Sequence, residues 1–314
     1  MQFRRKREKR PPISGIRSID IETTSVDRAV NFYRGVWGLE PITTEHRSVY
    51  LRGAGRYNYI LAIHKSGDAP ALRRVTFDAP DRRSVQTLFE AVKANGCTCE
   101  EPHELAQPGG GYGFGFTDVE NRNLAVVSEV KDHPATRAVH PDKPRKIAHV
   151  NFNAVDVAGT NRFLIEVLGF RLIDETPALF FFHANNTDHN SVVVCKGAAP
   201  TLNHVAYDMP DLDSVMRGAG RMRDNGYPIE WGVGRHGAGN NVFAYFAGPD
   251  EFPIEYTGEV LQIDANYQPR GPDQWRFPPG RMDQWGVTNP HSTRWKRIQD
   301  LIRFTPGAYR LPVR

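Results

Sequence analysis

Two histidines and a glutamate in the second half of the chain stand where metal ligands could stand: His149 in IAHVNF, His204 in NHVAYD and Glu255 in FPIEYTG. Each lies inside a short apolar run of the kind that forms a strand. A carboxylate in such a run is costly unless a partner meets it. Two imidazoles and one carboxylate are a donor set for a divalent metal, and as a facial triad they leave three positions of an octahedron open. That suits non-haem Fe(II), with Mn(II) also admissible, taking a bidentate substrate and dioxygen together. A lone strand histidine is ordinarily a hydrogen-bonded core residue, so the three need a reason to be grouped.

An internal repeat supplies it. FYRGVWGLEPI at 32–42 returns as FLIEVLGFRLI at 163–173, and RRVTFDAPDRRSV at 73–85 returns as NHVAYDMPDLDSV at 203–215. Asn95-Gly96 returns as Asn225-Gly226. A nearly constant offset of 130 to 131 residues implies a duplicated domain. The expected organisation is a basic tail (1–13), a first copy (14–130), a polar linker (131–143, KDHPATRAVHPDK), a second copy (144–260) and an extension (261–314). The offset pairs His149 with Ser18, His204 with Arg74 and Glu255 with Ala125. The first copy keeps the apolar frame and lacks all three ligand-type side chains, so chemistry is expected in the second copy alone.

The elements that would position these residues follow from the local pattern. Each copy reads as two smaller units. A β-rich run such as IAHVNFNA comes first, then a helix capped by an aspartate (Asp156, Asp211), then short strands such as ALFFFH and NSVVVC. About four such units make an α+β chain with antiparallel or mixed sheets rather than a doubly wound one. The glycines at 109–111 follow a proline and do not join a strand to a helix, which argues against a nucleotide loop.

Composition narrows the class. The 314 residues are 39% hydrophobic and 24% charged, as in a soluble globular protein. No run of 18 apolar residues suggests a membrane span. Arg4, Arg5, Lys6, Arg7, Lys9 and Arg10 are followed by no apolar stretch, unlike a secretory signal. A net charge of +4 is too small to argue for nucleic acid. Cys97, Cys99 and Cys195 form no disulfide framework and read as reduced thiols of a cytoplasmic protein.

At these residues the chain resembles the type I extradiol ring-cleaving dioxygenases of the vicinal oxygen chelate superfamily, and within them the catechol 2,3-dioxygenases. The resemblance covers about residues 14–260. It implies four βαβββ modules paired into two domains, with metal only in the C-terminal one. It implies that His149, His204 and Glu255 hold Fe(II), or Mn(II), and that His189, His236 and Tyr245 are catalytic. His236 and Tyr245 would also bind substrate, with Phe181 as a wall of the ring pocket. The segment from Gly234 to Tyr256 (GRHGAGNNVFAYFAGPDEFPIEY) is the most specific part of the likeness. Gly237, Ala238 and Gly239 depart from it, since the family often has a polar residue there. The implied reaction is cleavage of a catechol by O2 to a 2-hydroxymuconic semialdehyde, in a homo-oligomer with a tetramer favoured. A trihydroxylated or bicyclic catechol is an alternative substrate.

Two other readings stay open. One is a metal-dependent isomerase or lyase of the same superfamily. The other is a duplicated module that sequesters an aromatic compound, which the empty first copy would fit. The Trp- and Pro-rich segment PDQWRFPPGRMDQWG of the extension could fold over the cavity, join subunits or lie on the surface.

Overall fold

A computed structural model describes residues 12–45, 48–134 and 142–314. Most of the basic tail and the centre of the linker therefore lie outside the described residues. The first half supplies β1 (Gly15–Thr23), α1 (Val26–Phe32), β2 (Glu40–Glu45), β3 (Ser48–Arg52), β4 (Leu61–Lys65), β5 (Ala71–Asp78), α2 (Arg82–Ala94), β6 (His103–Glu104), β7 (Tyr112–Thr117) and β8 (Asn123–Ser128). The second half repeats the series as β9 (Ile147–Ala154), α3 (Val157–Arg162), β10 (Arg171–Glu175), β11 (Leu179–His183), β12 (Val192–Lys196), β13 (Thr201–Met209), α4 (Leu212–Asp224), β14 (Trp231–Arg235), β15 (Val242–Ala247) and β16 (Pro253–Gly258). The extension adds α5 (Thr293–Gln299) and β17 (Ile302–Arg303).

The two sheets have the same strand order, β2-β3-β4-β1-β5-β8-β7-β6 and β10-β11-β12-β9-β13-β16-β15-β14. In each, the two central strands run antiparallel and each pairs in parallel with the last strand of its own unit. Parallel neighbours cannot be joined by a tight hairpin, so the helix and the intervening strands make the crossover. Each half is thus two βαβββ modules joined at their first strands, which is the expected α+β architecture.

Local chemistry sets the helices. Asp81 and Asp211 accept the backbone N–H of Ser84 and Ser214 at 2.7 Å, and Asp156 accepts that of Gly159 at 2.9 Å. Helix α2 buries Val85, Leu88, Phe89 and Val92, one face at helical spacing. Helix α4 buries Val215, Gly218, Ala219 and Met222 at the same spacing. A Cβ on Gly218 would lie 2.8 Å from the Tyr256 ring, so only glycine lets the helix approach the sheet so closely. Gly38 and Gly169 end the first helical segment of each half with φ of 95° and 74°, a left-handed turn that favours glycine.

The halves meet through aromatic side chains. Trp37, fully buried, stacks on Tyr256 with centroids 3.7 Å apart and lies edge-on to Tyr207 at 5.3 Å. The Tyr256 hydroxyl donates to the Trp37 carbonyl at 2.9 Å. No helix among the described residues is long and apolar enough to cross a membrane.

Candidate metal centre

Strand register brings the three candidate ligands together. His149 on β9 pairs with Ala206 on β13, and Ala206 pairs with Glu255 on β16, so the three positions lie in a row across adjacent strands. His204 is two residues along β13 from Ala206 and therefore on the same face. Ala206 in the middle is small and leaves the space above it to its neighbours. On β16 alternation sends Glu255 and Thr257 to this face and Ile254 and Tyr256 to the other.

The donor atoms form a nearly equilateral triangle. His149 Nε2 lies 3.2 Å from His204 Nε2 and 3.3 Å from Glu255 Oε2, and His204 Nε2 lies 3.2 Å from the same oxygen. Glu255 is fully buried, and His149 and His204 nearly so. Glu255 Oε2 has no hydrogen bond, an arrangement a core would not keep without a further partner. Ligand bonds of ~2.0–2.2 Å put neighbouring octahedral ligand atoms ~3 Å apart, so the triangle fits one divalent cation. Among the described residues no other three His, Cys, Asp or Glu side chains converge in this way.

Protonation agrees with that use. Burial alone would raise the Glu255 carboxyl, but the two imidazoles outweigh it and hold Glu255 ionised. Burial lowers His204, keeping it neutral despite Glu255. His204 Nδ1 faces Asn203 Oδ1 at 2.8 Å, which places the proton on Nδ1 and leaves Nε2 as the donor lone pair. Asn203 is itself held by Gln299 of α5 at 2.9 Å. Asn241 donates to Thr257 at 2.7 Å and reaches Glu255 Oε1 at 3.5 Å.

His236 and Tyr245 stand beside the triad. Their Nε2 and Oη atoms are 2.9 Å apart, and the Tyr245 ring lies edge-on to His204 at 5.0 Å. The His236 ring stacks on Phe243 at 3.9 Å, and Trp231 lies against Tyr245 at 5.2 Å. Burial raises Tyr245 well above its ordinary value, so its hydroxyl stays protonated.

His189 and Phe181 are placed differently. His189 is fully buried, with Nε2 at 2.8 Å from Asp174 and Nδ1 at 3.0 Å from Asn190. Both ring nitrogens are thus engaged, and proton delivery from His189 would require it to leave one of these partners. Burial alone would raise Asp174, but hydrogen bonds from His189, the Arg270 backbone and Tyr267 more than offset it and hold it ionised. Phe181 meets the His189 ring at 5.8 Å and packs with Ile173, Val193 and Ala238.

The extension, whose place the sequence left open, packs against both halves. Phe277 and Trp275 lie over Gly237, where a Cβ would meet them at 2.7 and 3.4 Å. A longer side chain at 237 would displace them, which accounts for the glycine directly after His236. Trp295 packs on Tyr245 at 5.5 Å, His291 sits edge-on to Trp231 at 4.3 Å, and β17 pairs with β13. Asn203, Asn241, Asp174 and the extension's aromatic residues carry no motif that sequence reading could have used. A cavity of about 720 Å³ is a polar crevice lined by residues such as Arg56, Arg145 and Asn186, and no triad residue lines it.

His236 and His291 are both pushed down to about 4, first by burial. An ordinary imidazole takes up a proton below about 6.5. Between pH 6.5 and 4 the unfolded chain therefore binds more protons than the folded one, and stability falls as pH drops. Urea midpoints of metal-free protein should decline across this window, and His291→Gln should make the decline shallower. An unchanged slope would show that His291 titrates normally.

Comparison with known proteins places the chain in a family. The profile of the glyoxalase/bleomycin resistance protein/dioxygenase superfamily matches residues 146–256. The chain is 31% identical to the Mn(II)-bound glyoxalase from Novosphingobium aromaticivorans, covering 96% of this chain and 98% of that one with a TM-score of 0.86. Metapyrocatechase 2 of Cupriavidus necator is 34% identical over 124 residues, which is 39% of each chain. The manganese-dependent 2,3-dihydroxybiphenyl 1,2-dioxygenase of Geobacillus genomosp. 3 is 25% identical over 275 residues, 80% of this chain and 87% of that one. The chain belongs to the glyoxalase/bleomycin resistance protein/dioxygenase superfamily.

Proposed function

We propose that this chain is an extradiol dioxygenase that opens a catechol ring with both atoms of O2, using Fe(II) or Mn(II) held by His149, His204 and Glu255. The observation that carries the reading is the buried triangle of three donor atoms with an orphaned carboxylate oxygen. The relatives named metapyrocatechase and dihydroxybiphenyl dioxygenase support it. When bound, the cation supplies the positive charge that eases ionisation of a diol and the redox couple that dioxygen requires.

The chain's own residues do the rest. His236 is neutral at pH 7, and with its Nε2–H donated to Tyr245 Oη it orients that hydroxyl and leaves the Tyr245 proton free to turn toward the substrate. Tyr245 stays protonated and donates a hydrogen bond to an oxygen anion. Trp231, Phe243, Trp275 and Phe277 keep bulk water from this region. His189, tied to Asp174, takes part in the proposal as a proton donor only after it breaks that pairing.

Catechol, 4-methylcatechol and 2,3-dihydroxybiphenyl added to Fe(II)-loaded protein should each be tried with oxygen uptake and visible absorbance recorded together. A yellow ring-opened product with one O2 consumed per diol is expected for at least one of them. No oxygen uptake with any of the three diols would remove the proposal. Tyr245→Phe should lower turnover by ~10²-fold with metal content unchanged. A second reading, a metal-dependent glyoxalase-type isomerase, rests on the similarity to the Mn(II)-bound glyoxalase. It predicts turnover of a hemithioacetal without oxygen.

A further inference from the structure

The first half carries a cavity beside Arg74, the position that corresponds to His204 in the second half. Arg74 on β5 faces Asp20 on β1, just as His204 on β13 faces Asn151 on β9. The space there is about 470 Å³, enough for a small organic molecule. Its floor is a hydrogen-bonded relay. Ser48 Oγ lies 2.7 Å from His64 Nδ1, His64 Nε2 lies 3.0 Å from Asp20 Oδ2, and Arg74 donates to the same oxygen at 2.8 Å. Tyr50 and Tyr59, edge to face at 4.9 Å, form an aromatic wall.

Buried polar atoms around this space lack partners of both kinds. Gln107 Nε2 and Arg74 Nε are donors without acceptors, and Asp20 Oδ1 is an acceptor without a donor. Gln107 and Arg74 are each 4% exposed and Asp20 is 2% exposed, so water does not freely satisfy them. The lining holds Lys65, Arg73, Arg74 and Arg310 against the single carboxylate of Asp20. Arg74 is committed to Asp20 and to the Ala308 and Arg310 carbonyls, and Arg73 to Glu22 on one edge. Arg310 has no carboxylate partner among the described residues. An excess of cations calls for an anion, the tyrosines for a flat ring, and the orphaned Asp20 oxygen for a hydroxyl donor.

We propose that this cavity is a second, metal-independent site that binds a small hydroxylated aromatic carboxylate. The carboxylate lies toward Gln107, Arg310 and Arg73, the ring against Tyr50 and Tyr59, and the hydroxyl toward Asp20 and Ser48. The site is separate from the metal centre and does not depend on the ring-cleavage reading.

The test is calorimetric titration of 4-hydroxybenzoate into the full, metal-free chain, with benzoate and phenol as controls. Saturable binding of one molecule per chain is expected, at least ~10-fold tighter than either control, each tenfold being ~1.4 kcal/mol. It should persist in Glu255→Gln and weaken at least ~10-fold in Gln107→Leu and in Arg310→Ala. Gln107→Leu removes an amide with an unpartnered N–H, so its fold should survive, and circular dichroism checks this. No saturable binding, or binding lost in Glu255→Gln while both first-half variants keep it, would overturn the proposal.

Discussion

Glu255→Gln should yield a folded protein that no longer gains thermal stability from added Fe(II) or Mn(II) and that has lost ring-cleavage turnover by ~10³-fold or more. The reasoning starts from the carboxylate. It is fully buried, held ionised by two imidazoles, and its Oε2 atom has no hydrogen bond. A ligand that binds only the folded state stabilises it by mass action, ~2.7 kcal/mol at a hundred times its dissociation constant. Glutamine keeps the shape but removes the charge that offsets the cation, and losing Lewis-acid charge stabilisation costs several kcal/mol of barrier. Thermal melts with and without metal, with metal content measured on the same samples, check this. A metal-dependent rise in melting temperature equal to that of the unaltered chain would show that the cation is not held by Glu255.

Trp37→Ala is the largest stability change expected. Trp37 is completely buried between the halves, stacked on Tyr256 and edge-on to Tyr207 and Phe246. Truncating a buried tryptophan to alanine costs ~3–5 kcal/mol in lost transfer energy and cavity. Trp37→Phe should cost much less, because the Trp37 Nε1 group makes no hydrogen bond and a ring is retained. Tyr256 follows Glu255 on β16, so loosening this stack also frees the strand that carries the carboxylate. Urea unfolding of the two variants, with metal affinity measured on each, separates the effects. Equal stability of Trp37→Ala and the unaltered chain would mean that the halves are held by other contacts.

The sequence alone gave the duplication, the α+β modules and the three residues of the triad. These are legible because strand alternation has a fixed period of two and the repeat has a fixed offset. The pairing of His149 with Ser18, His204 with Arg74 and Glu255 with Ala125 holds in the sheets, where Ser18, Thr76 and Ala125 line up as His149, Ala206 and Glu255 do. His236 and Tyr245 were named only by the family resemblance, and the hairpin of β14 and β15 sets their side-chain atoms 2.9 Å apart.

The surroundings of His189 were decided by tertiary structure. Its partner Asp174 sits on β10 at a break in the ladder between Leu172 and Asp174, and a bulge shifts which side chains face inward, so alternation no longer predicts them. The extension was equally illegible. Its tryptophans and prolines have no period, and their packing over Gly237 and Tyr245 depends on surfaces that exist only once both sheets are formed. The relay of Ser48, His64, Asp20 and Arg74 joins four strands through hydrogen bonds that span 16 to 54 residues. Local pattern fixes which face a side chain takes, but only the closed sheet fixes which distant side chain it meets there.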